Sequence, residues 1–209
     1  MLIFQGKFGI LKLIMQIQTL IFFGIVGSGK GTQVKLLMEF LKNLDGRESV
    51  YTSTGDEYRK LIVSGSYTGS LVKDSLTRGE LQPDFLTNAI FTNILTLSLD
   101  AEKNLFADGY PRTIVQSQAF EEMMKYYKRN NIKIIYIEVG KEEALKRNLL
   151  RGRHDDTNEG IAKRFDEYVN NVIPAMNYFK NKDNYKMYTI NGEQKVEQVH
   201  QDIVKVLGL

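Results

Sequence analysis

Short apolar runs alternate with longer amphipathic stretches over most of the chain. The runs are rich in β-branched and aromatic side chains and therefore predict buried strands. These strands are Thr19–Phe23, Ser49–Ser53, Asn104–Asp108, Ile132–Glu138 and Lys186–Ile190. Helical patterns lie near residues 32–44, 84–98, 114–129, 141–150 and 160–180, and Val196, Val199, Ile203 and Val206 form the apolar stripe of a last helix. The alternation predicts an α/β fold of three layers with a five-stranded parallel sheet.

Two segments are longer than a simple connection between strand and helix. Residues 54–83 follow the second strand, and residues 151–159 form a polar loop, RGRHDDTNE. We expect both to be insertions at the carboxyl edge of the sheet, where ligands bind in such folds. The predicted organisation is a core of residues 15–53, 84–147 and 165–209, a helical insertion at 54–83, a very short lid at 148–164 and an N-terminal extension at 1–14.

The amino-acid composition excludes some kinds of functional site. The chain has 209 residues, a formal net charge of +3 and no cysteine, which excludes disulfides, cysteine-ligated zinc and thiol nucleophiles. The mild basic excess suits ligands that carry phosphate as well as nucleic acid, and does not decide between them. Three prolines and the lack of low-complexity tracts argue against disorder.

A glycine-rich loop follows the first predicted strand and leads directly into a helix. Its sequence is GIVGSGKGT, from Gly24 to Thr32. Glycines let successive backbone N–H groups converge on phosphate oxygens, while the helix N-terminus and Lys30 add positive charge. In the general pattern of phosphate-binding loops, Ser or Thr follows the lysine, whereas in this chain Gly31 follows Lys30 and Thr32 comes one residue later. The alternative, a flexible glycine turn, does not explain the lysine in this context.

Charged residues follow the second and third strands. Thr54 and Arg59 belong to the stretch TSTGDEYR, in which Asp56 or Thr54 could simply cap a helix. The third strand ends in DGYPRT, with Asp108 at its tip and Arg112 just beyond. A carboxylate beside a phosphate loop has hydrated Mg²⁺ as its natural partner, and an arginine there can bind phosphate. A strand-end turn with a capping aspartate is the alternative.

Four arginines flank the second polar loop. They are Arg147, Arg151, Arg153 and Arg164, and two aspartates, Asp155 and Asp156, lie between them. A solvated charged loop is the simplest interpretation. Arginines gathered around a phosphoryl group would instead compensate the charge of a transfer reaction.

Four sequence elements follow one another along the chain, namely GxxGxGKGTQ, STGDxxR, DGYPRTxxQ and R-x3-R-G-R-x-D-D. Together and in this order they resemble the adenylate kinase family over residues 18–207. The resemblance implies a P-loop fold with an AMP-binding insertion and a short lid. It also implies reversible, Mg²⁺-dependent transfer of the γ-phosphoryl group of ATP to AMP, giving two ADP, without zinc. A UMP/CMP kinase on the same fold is the alternative, although Thr54 and the PRTxxQ element favour AMP. A second alternative is a nucleotide-binding module that does not catalyse a reaction.

The resemblance also assigns roles to residues. The expected ATP-binding residues are Gly27, Ser28, Gly29, Lys30, Gly31, Thr32 and Arg147. The expected AMP-binding residues are Thr54, Arg59, Leu81, Gln82, Gly109, Arg112, Gln116, Arg153 and Arg164. The expected catalytic residues are Lys30, Arg112, Arg151, Arg153 and Arg164, and Asp108 would hold Mg²⁺ through water. The chain departs from the family pattern at Glu57, at Tyr110 and in the short spacing between Arg151 and Arg153.

The expected partners are ATP and AMP, with no nucleic acid and no stable membrane association, and we expect a cytoplasmic monomer. Residues 1–14 are apolar but interrupted by Gln5, Lys7 and Lys12, a poor fit to a transmembrane helix or a signal peptide. Our hypothesis is that this extension is dispensable and lies outside the native translation product. Chains of the adenylate kinase family commonly begin a few residues before the first strand, and Met15 stands at that point in this sequence. A hairpin and a membrane-surface helix are the alternatives.

Overall fold

The computed structural model describes residues 16–151 and 158–209, apart from the side chains of Arg151 and Asn158. Its strands are β1 (Thr19–Phe23), β2 (Ser49–Ser53), β3 (Asn104–Asp108), β4 (Ile132–Glu138) and β5 (Tyr185–Asn191). Its α-helices are α1 (Lys30–Asp45), α2 (Thr54–Val63), α3 (Tyr67–Thr77), α4 (Asp84–Ser98), α5 (Ile114–Tyr126), α6 (Lys141–Arg151), α7 (Asn158–Glu167), α8 (Ile173–Asn177) and α9 (Val196–Leu207). The predicted extension at 1–14 and Arg153 lie outside the described residues.

All five strands pair in parallel, in the order β2-β3-β1-β4-β5. The chain moves to one side of β1 for β2 and β3, and to the other side for β4 and β5. Such a reversal opens a crevice at the carboxyl ends of the central strands, because the connections on its two sides diverge. The glycine-rich loop follows β1 and therefore lies in this crevice.

Alternate residues of β1 face two separate cores. Leu20 and Phe22 pack in a cluster with residues of α1 and α9, whereas Ile21 and Phe23 pack with residues of α4, α5 and α8. All four side chains are buried. Helices therefore cover both faces of the sheet, which confirms the predicted three-layer α/β fold.

The insertion between β2 and α4 contains two helices joined by a tight connection. Ser53 caps α2, since its Oγ accepts a hydrogen bond from Asp56 N at 3.3 Å. The prediction that Asp56 or Thr54 caps this helix is therefore wrong. Ser66 caps α3 in the same way, accepting from Gly69 N at 3.1 Å.

The long helix predicted at 160–180 is divided. Residues Tyr168–Val172 form a π-helical turn between α7 and α8, closed by a hydrogen bond from Ile173 N to Tyr168 O. Pro174 explains the change, because its ring lacks an N–H and clashes with a carbonyl four residues earlier in a regular helix. The helix predicted at 114–129 ends at Tyr126, because Lys128 adopts a left-handed φ of 54° that terminates it.

One hydrophobic cluster stands apart from the two main cores. It joins Ile25 of the glycine-rich loop to Ala144 of α6 and to Ile161 and Phe165 of α7. The loop is therefore packed against the helices on both sides of the predicted lid. Within the described ranges, no helix is long and apolar enough to cross a membrane.

Candidate active site

A cavity of about 600 Å³ lies at the carboxyl ends of β1, β2 and β3. Its wall combines the glycine-rich loop, the insertion, the turn after β3 and the helices around the predicted lid. The predicted site residues among its lining are Gly27, Gly29, Lys30, Gly31, Thr32, Arg59, Leu81, Asp108, Gly109, Arg112, Arg147 and Arg164. The glycine-rich loop and Arg147, which lie about half the chain apart in sequence, thus line the same cavity.

The lysine of the glycine-rich loop lines the cavity and is hydrogen-bonded to its own loop. The Lys30 ammonium group donates hydrogen bonds to Gly24 O at 2.7 Å and Ile25 O at 2.9 Å, and contacts Ser28 Oγ at 3.2 Å. Gly29 immediately precedes α1 with a φ of 90°. The loop therefore combines a fixed cation with the positive end of a helix, a combination that binds phosphate.

Asp108 ends β3 on the cavity side, facing this loop. The Tyr51 hydroxyl donates a hydrogen bond to Asp108 Oδ2 at 3.2 Å. A Cβ atom placed on Gly31 would lie 3.6 Å from the same oxygen, so loop and carboxylate are neighbours. Burial, and then the charge of Asp108, raise the pKa of the Tyr51 hydroxyl.

The carboxylate of Asp108 fits the coordination of Mg²⁺. The described segments contain no cluster of three or more His, Asp or Glu side chains that could hold a metal ion. Mg²⁺ does not need such a cluster, because it usually keeps several waters and binds one or two carboxylates together with substrate phosphates. A single carboxylate beside a phosphate loop therefore matches the donor set expected for Mg²⁺ bound with a nucleotide.

The turn after β3 holds Arg112 close to the insertion. Arg112 Nε donates to Gly109 O at 2.9 Å, and Thr54 Oγ1 donates to the same carbonyl at 2.8 Å. A side chain at position 109 would come within 2.9 Å of both Arg112 Nη2 and Thr54 Oγ1. Gly109 also has a φ of 77°, so only glycine fits this turn without strain. Burial lowers the pKa of the Arg112 guanidinium, with Tyr58 and Asp108 acting in the opposite direction.

Gln116 lies behind Arg112 and has protein partners at both polar atoms. Its Oε1 accepts from Arg112 N at 2.8 Å, and its Nε2 donates to Asp84 Oδ1 at 2.8 Å. Thr54 is fully buried, as Gln116 nearly is. Both side chains therefore support the cavity wall from behind.

A second, much smaller cavity of about 10 Å³ adjoins the insertion and is lined in part by Leu81, Gln82 and Gln116. Tyr58 and Thr87 also line it, and their hydroxyl groups share a hydrogen bond of 2.6 Å. Neither residue is among the predicted site residues. One signal was available, because Tyr58 lies four residues after Thr54 on α2 and therefore on the same helix face.

Three further arginines reach the main cavity from different elements. Arg59 of α2 pairs with Asp56, Arg147 of α6 pairs with Glu143 at 2.7 Å, and Arg164 of α7 donates to Leu76 O at 3.4 Å. These three and Arg112 line the same cavity. The side chain of Arg151, and the whole of Arg153, lie outside the described part of the chain. Of the four arginines around the second polar loop, Arg147 and Arg164 therefore line the cavity, together with Arg59 and Arg112.

Comparison with known proteins gives a consistent result. The family model for adenylate kinase matches residues 22–184. The chain is 32% identical to an adenylate kinase of Thermosipho africanus over 219 aligned positions, which cover 90% of this chain and 98% of that protein. It is also 32% identical to adenylate kinase 1 of a Nostoc species over 189 positions, again covering 90% and 98%. The matched region contains the glycine-rich loop from Gly24 onward, the insertion and the arginines of the cavity.

Proposed function

Because the chain belongs to the adenylate kinase family, we propose that it transfers the γ-phosphoryl group of ATP reversibly to AMP, giving two molecules of ADP. One observation carries the proposal beyond family membership. A single cavity joins the glycine-rich loop, with Lys30, to an arginine-bearing end beside the insertion. That arrangement can hold a phosphate donor and a phosphate acceptor side by side.

The donor end is proposed to bind ATP. Backbone N–H groups of Gly27 to Thr32, together with the Lys30 ammonium group, would surround the β- and γ-phosphates at the N-terminus of α1. Arg147 adds a guanidinium group from α6. Mg²⁺ bound with ATP would neutralise phosphate charge, and Asp108 would hold it through water.

The acceptor end is proposed to bind AMP. Arg59 and Arg112 would bind its phosphate, since a guanidinium group can contact phosphate oxygens bidentately. Backbone groups at Leu81 and Gln82 would contact the adenine, and Gly109 would allow the base to approach the backbone closely. Thr54 and Gln116 would keep this wall in place through the hydrogen bonds described above.

Transfer itself requires alignment and charge compensation. The phosphate of AMP is ionised at neutral pH, so no general base is needed, and His154 and His200 stay outside the proposed chemistry. Lys30, Arg112 and Arg164, with Arg151 and Arg153, would compensate the charge that develops as the phosphoryl group moves. Closure of the insertion at 54–83 and of the short lid at 148–164 would exclude water and prevent ATP hydrolysis.

We also propose that the enzyme works as a cytoplasmic monomer that needs no zinc and binds neither nucleic acid nor membranes. Support for a monomer comes from the cavity, because one chain supplies both the glycine-rich loop and the arginines opposite it.

An assay that follows ADP formation tests the proposal. ATP and Mg²⁺ are supplied with AMP, UMP, CMP or GMP in turn, and kcat/KM is measured for each acceptor. AMP should exceed UMP and CMP by up to about 10⁴-fold, because a wrong base leaves hydrogen-bonding groups of a buried site unpaired. Comparable values for AMP and CMP would favour a UMP/CMP kinase instead. Nucleotide binding without any ADP formation would favour a binding module.

A further inference from the structure

The side chain of Asn148 connects two elements of the donor end that are far apart in sequence. Asn148 lies on α6 and is fully buried, an unusual position for a polar side chain. Its Nδ2 donates to Val26 O, inside the glycine-rich loop, at 2.9 Å. It also donates to Ala144 O, one helical turn earlier, at 2.8 Å. One amide group thus joins the loop to the backbone of α6.

The backbone of the loop is shaped around this contact. A Cβ atom on Gly27 would come within 2.6 Å of Asn148 Nδ2 and 2.7 Å of Ala144 O. Gly27 also has a φ of 87°, which L side chains rarely adopt. The loop can therefore press against α6 at this point only because position 27 has no side chain.

Apolar packing around the contact does not fix the loop in one orientation. Ile25, Ala144, Ile161 and Phe165 form the small cluster beneath it, and such contacts are not directional. A hydrogen bond is directional, and the part-buried Val26 carbonyl that loses its donor can recover a partner only from water. Removing the Asn148 amide would therefore favour a loop in which Val26 O turns toward water.

We infer that Asn148 is a positioning residue for ATP binding, which fixes the glycine-rich loop relative to the helix that carries Arg147. The inference rests on the proposed function, because it takes the loop as the ATP phosphate site. The guanidinium group of Arg147 can contact a phosphate bound by the loop only if the distance between the loop and α6 is fixed. Small displacements of such groups weaken both binding and transfer.

The test compares three variants of the full chain by equilibrium titration with ATP and, separately, with AMP. Asn148→Leu keeps the branched shape and the number of side-chain heavy atoms without the donor, and Asn148→Ala removes most of the side chain as well. Both should raise the Kd of ATP by about tenfold, the equivalent of about one hydrogen bond, while the Kd of AMP stays the same. The melting temperature should fall further in Asn148→Ala, because that variant leaves a cavity.

Asn104→Leu is the matched control. Asn104 is also buried, and its Oδ1 accepts a hydrogen bond from Gln18 N at 2.8 Å, at the opposite end of the sheet. This variant should lose thermal stability without a change in the Kd of ATP. Hydrogen exchange at the amides of residues 25–29 gives a second reading, and should be faster in the Asn148 variants alone.

Three results would overturn the inference. They are an unchanged Kd of ATP in Asn148→Leu, equal weakening of ATP and AMP, and an equal effect of Asn104→Leu. Phosphoryl transfer by the unaltered protein is measured in the same experiment. If transfer is absent, the proposed function fails, whereas the ATP titrations still decide whether Asn148 positions the loop.

Discussion

The donor end and the acceptor end of the cavity are built differently. At the donor end, backbone groups and glycines form the surface, and Lys30 is held by carbonyl oxygens of its own loop. At the acceptor end, side chains contact side chains, as in the pairs Tyr58 with Thr87 and Gln116 with Asp84. One end therefore depends on the path of the chain, and the other on the identity of particular residues.

This difference suggests where selectivity lies. Phosphates are alike in all nucleoside triphosphates, so a backbone surface that binds them cannot distinguish bases. Side chains that hold a buried wall can distinguish bases indirectly, because they fix the backbone groups at Leu81 and Gln82 that would contact the adenine, and a wrong base leaves those groups without partners. We therefore expect substitutions at the donor end to change ATP binding and rate, and substitutions at the acceptor end to change the choice of acceptor.

The largest effects are expected for the two cations held at opposite ends, in Lys30→Met and Arg112→Ala. Each should lower kcat by about 10³-fold, because a fixed positive charge at the transferring phosphoryl group is lost. Steady-state kinetics with saturating ATP and AMP measure this. If the two ends are distinct, Lys30→Met should also weaken the binding of ATP more than that of AMP, and Arg112→Ala should weaken the binding of AMP more than that of ATP.

Two matched variants control for charge and stability. Lys42→Met removes an exposed lysine of the same helix α1, which pairs with Glu48 at 2.9 Å. Arg129→Ala removes a buried arginine that donates to Lys103 O and Asp100 O, away from the cavity. Arg129→Ala should lower the melting temperature, and neither variant should lower kcat. A kcat within about threefold of the unaltered protein for Lys30→Met or Arg112→Ala would contradict the assignment, since fixed charges of this kind have far larger effects.

A smaller effect, confined to the acceptor end, is expected for Gln116→Leu. The substitution removes the hydrogen bonds to Arg112 N and Asp84 Oδ1 while keeping most of the volume. We expect kcat/KM for AMP to fall by about tenfold to 100-fold, since partners of a buried amide are left unsatisfied. The preference for AMP over CMP should narrow as the wall loosens.

Gln33→Leu is the control for this change. Gln33 is equally buried, on α1 at the donor end, and its Nε2 donates to Val196 O at 2.9 Å. This variant should keep the preference for AMP over CMP. An unchanged preference in Gln116→Leu would mean that Gln116 supports the fold without contributing to the choice of acceptor.

Sequence patterns predicted the sheet well. Four strands have the predicted bounds, and β5 extends the predicted Lys186–Ile190 by one residue at each end. Buried parallel strands are short and apolar on both faces, so their ends are marked by polar residues and glycine. The glycine-rich loop was predictable for a related reason, because its function depends on a fixed spacing of glycines and one lysine.

Contacts between distant segments were not predictable from the sequence. Nothing near Asn148 indicates that its amide reaches Val26, and nothing near Tyr58 indicates Thr87 as its partner. Both depend on how separate elements pack in three dimensions. The π-helical turn at Tyr168–Val172 has a different cause, because the helical pattern of apolar residues carries no information on the missing N–H of Pro174.

The smallest effects are expected for two tyrosines that lie on either side of the division, in Tyr51→Phe and Tyr58→Phe. Tyr51 donates to Asp108 at the donor end, and Tyr58 pairs with Thr87 at the acceptor end. Each substitution removes one hydroxyl group and leaves the ring in place. Tyr51→Phe should raise the Mg²⁺ concentration needed for half-maximal rate by about threefold to tenfold, because Asp108 loses the hydrogen bond that orients it.

Tyr58→Phe should instead raise the Kd of AMP by about threefold to tenfold and leave the Mg²⁺ requirement unchanged. Each variant is the control for the other, since both lose the same group from a partly or fully buried ring. The measurements are Mg²⁺ titrations of the rate and equilibrium titrations with AMP. If both variants shift both quantities equally, the two ends act as one coupled wall and the division between backbone-built and side-chain-built surfaces fails. If each shifts only its own quantity, the hydroxyl of Tyr51 acts on the metal-facing carboxylate alone and that of Tyr58 on the acceptor site alone.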